Sequence, residues 1–428
     1  MSKLIRFYNG SILTLSRGLS LTDGEVWTDG NLIAYVGPAR ADAPMFDREI
    51  DLRGDLLMPG FKNAHTHSAM TFLRSYADDL PLESWLFDRV FPLEARLTPE
   101  HIYTFTKLAI MEYLSGGITA SFDMYYHPDA YAQANIDCGF RTVICCAIGA
   151  SNPDWKSAER GYTYFNSLNP LISYRLGCHA EYTASEALLK YLSGLSHEFK
   201  APVWAHNAET AAETEGCIAR HGMTPTQLFE SLGLFDHGGG GYHCVWLSEA
   251  DMDIFIRRGL WAVTCPASNA KLASGIAPLC RMLARGVNLA VGTDGPASNN
   301  ALDMFREMYL ACVLQKLDQK DAAACPAGAL LTAATAGGAR AMGLDDCDVI
   351  APGKQADLIV VDMSRPNMQP IHNIPNNLVY SGSKDNIRMT MVAGRILYEN
   401  GEFFIGEDPE RILAQAAKMT MELISHDT

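Results

Sequence analysis

The chain has 428 residues, 48% apolar and 19% charged, with a formal net charge of -15. That length exceeds one small core and suits a large barrel with an accessory domain, and the balanced composition excludes a disordered chain. The acidic balance excludes a broad basic surface, so neither nucleic acid nor an anionic membrane is an expected partner.

The opening Met1-Ser2-Lys3-Leu4-Ile5-Arg6 lacks the apolar stretch of a signal peptide, and no run of about twenty apolar residues follows to span a bilayer. A cytoplasmic location is expected. Eleven cysteines are scattered through apolar segments with no CxxC pair, as buried thiols in a reducing compartment would be.

The first fifty-odd residues alternate apolar and polar positions, and Asp29-Gly30 between two such runs signals a hairpin. The same texture returns at residues 356–362 and 387–398. Both ends of the chain are therefore expected to build one composite β-sandwich domain, residues 1–55 plus 350–428, closed by a C-terminal helix. Between them, residues 56–349 carry eight short apolar runs separated by helical stretches: 56–67, 118–124, 141–148, 172–179, 202–207, 240–245, 259–266 and 287–294. Eight such units predict an α/β fold, a (β/α)8 TIM barrel. The Gly238-Gly239-Gly240-Gly241 run reads as a loop entering the sixth strand. Residues 68–117 exceed one crossover helix, and an insertion of that length over a barrel mouth commonly shapes a substrate pocket.

Chemistry-bearing residues collect at the ends of these runs. His65 and His67 end the first, His206 the fifth, His243 the sixth and Asp294 the eighth. Side chains two apart on a strand share a face, and the C-terminal ends of barrel strands meet around one mouth, so the five groups converge. Three imidazoles and a carboxylate, His65, His67, His206 and Asp294, suit one divalent cation, Zn2+ first and Fe2+ second, with a position left for water. Taken singly, His206 or His243 reads better as a hydrogen-bonded core histidine, and their joint placement at strand ends reverses that reading. Glu209 follows His206 by three residues, where a carboxylate can face substrate. Its alternative reading is an acid opening a helix.

The strings His65-Thr66-His67, His206-Asn207-Ala208-Glu209, His243-Cys244-Val245, Pro266-Ala267-Ser268-Asn269 and Gly292-Thr293-Asp294-Gly295-Pro296-Ala297-Ser298-Asn299-Asn300 resemble the amidohydrolase superfamily. The likeness is to its branch of 5'-methylthioadenosine/S-adenosylhomocysteine deaminases and chlorotriazine hydrolases, and it runs over nearly the whole chain. It implies one metal. Two-metal relatives carry a bridging lysine on strand four, where this chain has Leu176-Gly177-Cys178-His179. It also implies hydrolytic deamination of an aminopurine nucleoside, with Asp294 as ligand and proton acceptor, His243 orienting the nucleophile, and Glu209 protonating the ring nitrogen. Trp85 is then expected to pack on the ligand, Glu94 to accept the ribose hydroxyls, and His179 to contact substrate.

Three departures from the family pattern stand out. Cys146 occupies a position where relatives can hold a substrate carboxylate with arginine, leaving Lys156 or Arg160 as substitutes. Glu181 adds an acid near the pocket, and Trp246 replaces a histidine that is not catalytic. The alternatives are hydrolysis of another amino-substituted heteroaromatic ring, such as guanine, a pterin or a triazine, and a metal-free barrel acting as a scaffold. Glu209 favours deamination over dehalogenation. Homo-oligomerisation is expected, with a small-molecule substrate.

Overall fold

The computed structural model describes residues 3–80, 84–149 and 154–425. Sixteen strands among them form two eight-stranded sheets. The first sheet takes β1 (Leu4–Asp29), β2 (Leu32–Gly37), β3 (Arg48–Asp51) and β4 (Leu56–Pro59) from one end of the chain. From the other end come β13 (Leu358–Val361), β14 (Ile387–Val392), β15 (Arg395–Glu399) and β16 (Glu402–Phe403). The two halves join where β4 pairs antiparallel with β13. Asp29 and Leu32 are paired across the turn between β1 and β2, the hairpin that Asp29-Gly30 announces.

The second sheet is all parallel and runs in chain order: β5 (Phe61–Thr66), β6 (Ile118–Asp123), β7 (Arg141–Cys145), β8 (Ile172–Ala180), β9 (Val203–Asn207), β10 (Gly239–His243), β11 (Trp261–Thr264) and β12 (Asn288–Val291). Backbone just past β12 closes the barrel on β5, with the Thr293 and Asp294 amides donating to the His65 carbonyl at 3.1 and 3.0 Å. Asn63 reinforces the seam, its side chain bonded to Thr293 through both backbone and hydroxyl. Trp204, Tyr242 and Phe122 fill the interior against Ala64, Ala120 and Ala290, so the barrel is a packed core with chemistry confined to its mouth.

Two expectations need correction. The apolar run 56–67 is two strands: Gly60 donates its amide to Asp357 in the terminal sheet, and Phe61 donates to Gly117 beside the barrel. Both segments are buried on both faces, so hydrophobicity alone does not reveal the change of sheet. The glycine run, in turn, is mostly strand. A Cβ on Gly239 or Gly240 would collide with the Val203 or Trp261 carbonyl, so glycine here lets backbones approach closely.

Two buried polar contacts tie the terminal sheet to the barrel and to its first crossover helix. Arg141, which begins β7, makes a two-pronged ion pair with Asp357, at 2.8 and 3.1 Å. Thr390 on β14 donates to the Leu114 carbonyl at 2.6 Å. The insertion after β5 folds as a short helix, Ser68–Leu73, a wide helical turn, Trp85–Val90, and the crossover helix Pro99–Ser115. The C-terminal helix Pro409–Ser425 packs on that crossover helix. No helix among the described residues is long and apolar enough to cross a membrane, and all eleven cysteines are free.

Candidate active site

The strand ends bring His65, His67, His206, His243 and Asp294 to one point. The His65 ring lies 4.9 Å from that of His67, 4.8 Å from His206 and 5.6 Å from His243, centroid to centroid. Asp294 Oδ1 sits 3.3 Å from His67 Nε2 and 3.6 Å from His65 Nε2. Sharp turns make this convergence possible: Ala208, His243, Cys244 and Asp294 all have left-handed backbone, φ between +53° and +68°. Each costs about 1–3 kcal/mol in a non-glycine residue, strain typical of functional sites.

Hydrogen bonds fix the ring orientations. His67 Nδ1 donates to the Met124 carbonyl at 2.5 Å, His206 Nδ1 to the His179 carbonyl at 2.6 Å, and His243 Nδ1 to Asn269 Oδ1 at 2.8 Å. In each neutral ring this leaves Nε2 with a free lone pair. His65 is different. It is fully buried, stacked on Tyr242 at 3.8 Å, and neither ring nitrogen has a hydrogen-bond partner. A buried imidazole left unsatisfied is costly, and a cation within reach of its lone pair removes the cost. His65 with His206 and His243, and His65 with His67 and Asp294, form two groups whose ligand atoms lie within 4.8 Å of one another. This donor set fits a divalent metal.

Charges in the cluster are strongly coupled, and the His67 imidazole and the Asp294 carboxylate stabilise one another. Burial opposes protonation of His67, yet the adjacent Asp294 carboxylate outweighs it and raises the imidazole to about 9. Asp294 is held well below the usual carboxylate range: burial works against ionisation, and hydrogen bonding and charge from the histidines overcome it. Its Oδ2 accepts from the Ser268 and Ser298 hydroxyls at 2.6 and 2.9 Å, and its Oδ1 from the Gly295 amide at 2.7 Å.

Glu209 lies beyond β9, outside the helix Ala211–His221 that Thr210 caps. The helix-opening acid is instead Glu213, whose carboxylate accepts the Ala208 and Glu209 amides at 3.1 and 2.7 Å and so pins the strained turn. The Glu209 side chain is only 12% exposed, with Oε2 3.8 Å from His243 Nε2 and Oε1 accepting from Ser274 Oγ at 3.4 Å. Burial raises its pKa above the ordinary glutamate value, the direction that favours the protonated form.

Over this floor lies a cavity of about 270 Å³ whose wall includes Trp85, Glu94, His179 and Glu209, the four residues expected to meet substrate. Glu94 is buried, accepts from the Tyr125 hydroxyl at 2.6 Å, and is pushed up to about 7, chiefly by desolvation. Residues 81–83, just before Trp85, lie outside the described residues.

The three departures take these places. Glu181 does not act in the pocket: its carboxylate turns to Arg220 at 2.5 Å and His221 at 3.2 Å, lining a separate cavity. Cys146 is buried behind the wall, where its neighbour Ala147 stands instead, and neither Lys156 nor Arg160 reaches the cavity. Trp246 also lies outside it, its indole Nε1 donating to the Ser274 carbonyl at 2.7 Å. Sequence reasoning gave no role to Ser268, Asn269 and Ser298, although they lie in the quoted strings. Tyr125 and Ser274 left no local signal, since their partners lie far along the chain, whereas Thr210-Ala211-Ala212-Glu213 has the Thr-x-x-Glu spacing of a capped helix start.

Known proteins agree with this architecture. The amidohydrolase family profile matches residues 56–397. A 5-methylthioadenosine/S-adenosylhomocysteine deaminase of Desulforudis audaxviator (strain MP104C) is 40% identical over 409 residues, 94% of this chain and 95% of that protein. A 5'-deoxyadenosine deaminase of Methanothermobacter thermautotrophicus is 38% identical over 407 residues, 93% and 95% of the two chains. The crystal structure of an adenosine deaminase from Xanthomonas campestris with bound zinc superposes with a TM-score of 0.92 at 35% identity, covering 99% of this chain and 98% of that one. The chain belongs to the amidohydrolase family.

Proposed function

We propose that this protein is a zinc-dependent aminohydrolase that releases ammonia from an aminopurine nucleoside of the 5'-methylthioadenosine, 5'-deoxyadenosine or S-adenosylhomocysteine type. The observation that carries the reading is the convergence of four imidazoles and two carboxylates on one point, with both nitrogens of buried His65 unsatisfied. Deaminases among the relatives supply the substrate class.

His65, His67, His206 and Asp294 would hold the ion. When bound, a divalent ion of this kind lowers the pKa of a water from about 16 to about 7. The chain's own groups do the rest. His243, its Nδ1 committed to Asn269, presents Nε2 between Glu209 and Asp294, at 3.8 and 4.0 Å, and orients the attacking water. Asp294 accepts the water's proton. Glu209 gives its proton to the ring nitrogen beside the amino-bearing carbon, making that carbon electrophilic, and recovers a proton from the added hydroxyl as it becomes a carbonyl, while the proton held by Asp294 passes to the departing amine. A C–O bond forms, the C–N bond breaks, and ammonia leaves.

The same reading takes residues 56–349 as the catalytic barrel and both chain ends as an accessory unit, and treats the protein as a cytoplasmic homo-oligomer, which light scattering tests. The decisive assay is ammonia release from adenosine, 5'-methylthioadenosine, S-adenosylhomocysteine, guanine and pterins by metal-loaded protein. Release from the nucleosides supports the reading, and release only from guanine or a pterin replaces it.

A further inference from the structure

The wall of the active-site cavity has a strong chemical bias. Apart from the catalytic floor it is aromatic and aliphatic: Trp85, Phe91, Tyr126 and Leu272 line it, and the exposed rings of Phe87 and Tyr182 form its rim. Its acids are Glu94, Glu209 and Asp294, and no lysine or arginine lines it. Residues outside the described ones include no lysine or arginine, so every such side chain in the molecule is accounted for. Three cations on neighbouring segments have acidic partners of their own. Lys271, beside Leu272, is held by Asp78 at 2.5 Å, Arg220 by Glu181 at 2.5 Å, and Arg160 by Asp154 at 2.5 Å. Arg89 is exposed and does not line the cavity.

In a purine nucleoside the amino-bearing carbon and the sugar lie at opposite ends of the ring system. With the amino end over Glu209 and Asp294, the sugar's 5'-substituent is the part farthest from the floor and meets the aromatic rim. We infer that this rim makes the site selective for nucleosides with an uncharged, apolar 5'-substituent, and that it discriminates against a tail ending in an amino acid. The inference rests on the nucleoside reading above. A methylthio or methyl group gains by leaving water for the rings, and its sulfur can contact their edges. A tail carboxylate would lose hydration among acids and aromatic faces with no cation to replace it.

The test compares kcat/KM for 5'-methylthioadenosine, 5'-deoxyadenosine and S-adenosylhomocysteine on zinc-loaded protein. Both apolar substrates should exceed the third by about tenfold or more, the scale of one hydrophobic group in a pocket. Binding of the deaminated products, 5'-methylthioinosine and S-inosylhomocysteine, measured by calorimetry, should follow the same order without any turnover. Phe87→Arg, a change on an exposed ring, should narrow the gap by raising the S-adenosylhomocysteine value. Equal or better turnover of S-adenosylhomocysteine by the wild type overturns the selectivity while leaving the deaminase reading intact, as does an Arg89→Ala protein that selectively loses that substrate. Ammonia from none of the three removes the nucleoside reading and this inference with it.

Discussion

Replacing Glu209 by glutamine isolates one event, the proton transfer to the ring. The amide keeps the shape of the carboxyl and can keep the contact with Ser274 Oγ at 3.4 Å, and the backbone stays pinned because Glu213 holds the Glu209 amide at 2.7 Å. The groups proposed to hold the metal are untouched, so zinc stoichiometry and Tm should match the wild type. What disappears is a transferable proton in a buried site where desolvation otherwise retains it. General acid/base catalysis contributes about 10²- to 10⁴-fold, or about 2.7–5.4 kcal/mol of barrier at roughly 1.36 kcal/mol per decade. Initial-rate ammonia assays should therefore show kcat down by that range with KM changed far less. Undiminished kcat with full metal content would refute the proton-donor role, and lost zinc would mean that Glu209 is part of the metal site instead.

Four further outcomes follow from the geometry. Chelation should abolish activity and lower Tm, with both restored by added zinc, because buried His65 loses its only available partner. Asp357→Ala should cost about 3–5 kcal/mol in denaturant unfolding, since it leaves Arg141 buried without its carboxylate and frees the Ala393 amide. Glu94, pushed up to about 7 by burial, should accept ribose hydroxyls better once ionised, so KM should fall as pH rises through neutrality and become flat in Glu94→Gln. The stability sign is the reverse: the folded state holds this proton more tightly, so folding weakens as pH climbs from the unfolded glutamate range to about 7. Glu213→Ala should lower kcat while sparing zinc content, because it releases the two amides that set the left-handed turn before Glu209.

Much of this site was legible in the chain because barrel strands buried on both faces announce themselves as apolar runs, and the polar side chains at their ends stand out as interruptions. His65, His67, His206, His243 and Asp294 are all of this kind. What escaped depends on contacts between distant segments. Glu181 adjoins residues that line the cavity, yet Arg220 and His221, 39 and 40 residues later, draw it outward. Ser268, Asn269 and Ser274 each bond a different reactive group, Asp294, His243 and Glu209, across gaps of 26 to 65 residues. The switch of sheet at Gly60 was invisible for another reason: hydrophobicity reports burial, and burial is the same on both sides of it.

That glycine has a practical consequence. Because β4 passes directly into the strand that delivers His65 and His67, the barrel has no natural seam at which to be cut away from the chain's ends. A fragment beginning at residue 61 would start with the very strand that carries His65, untethered from the Gly60–Asp357 contact. Attempts to minimise this enzyme, or to graft its barrel onto another protein, should keep both tails, or find their new termini in a surface loop between later strands.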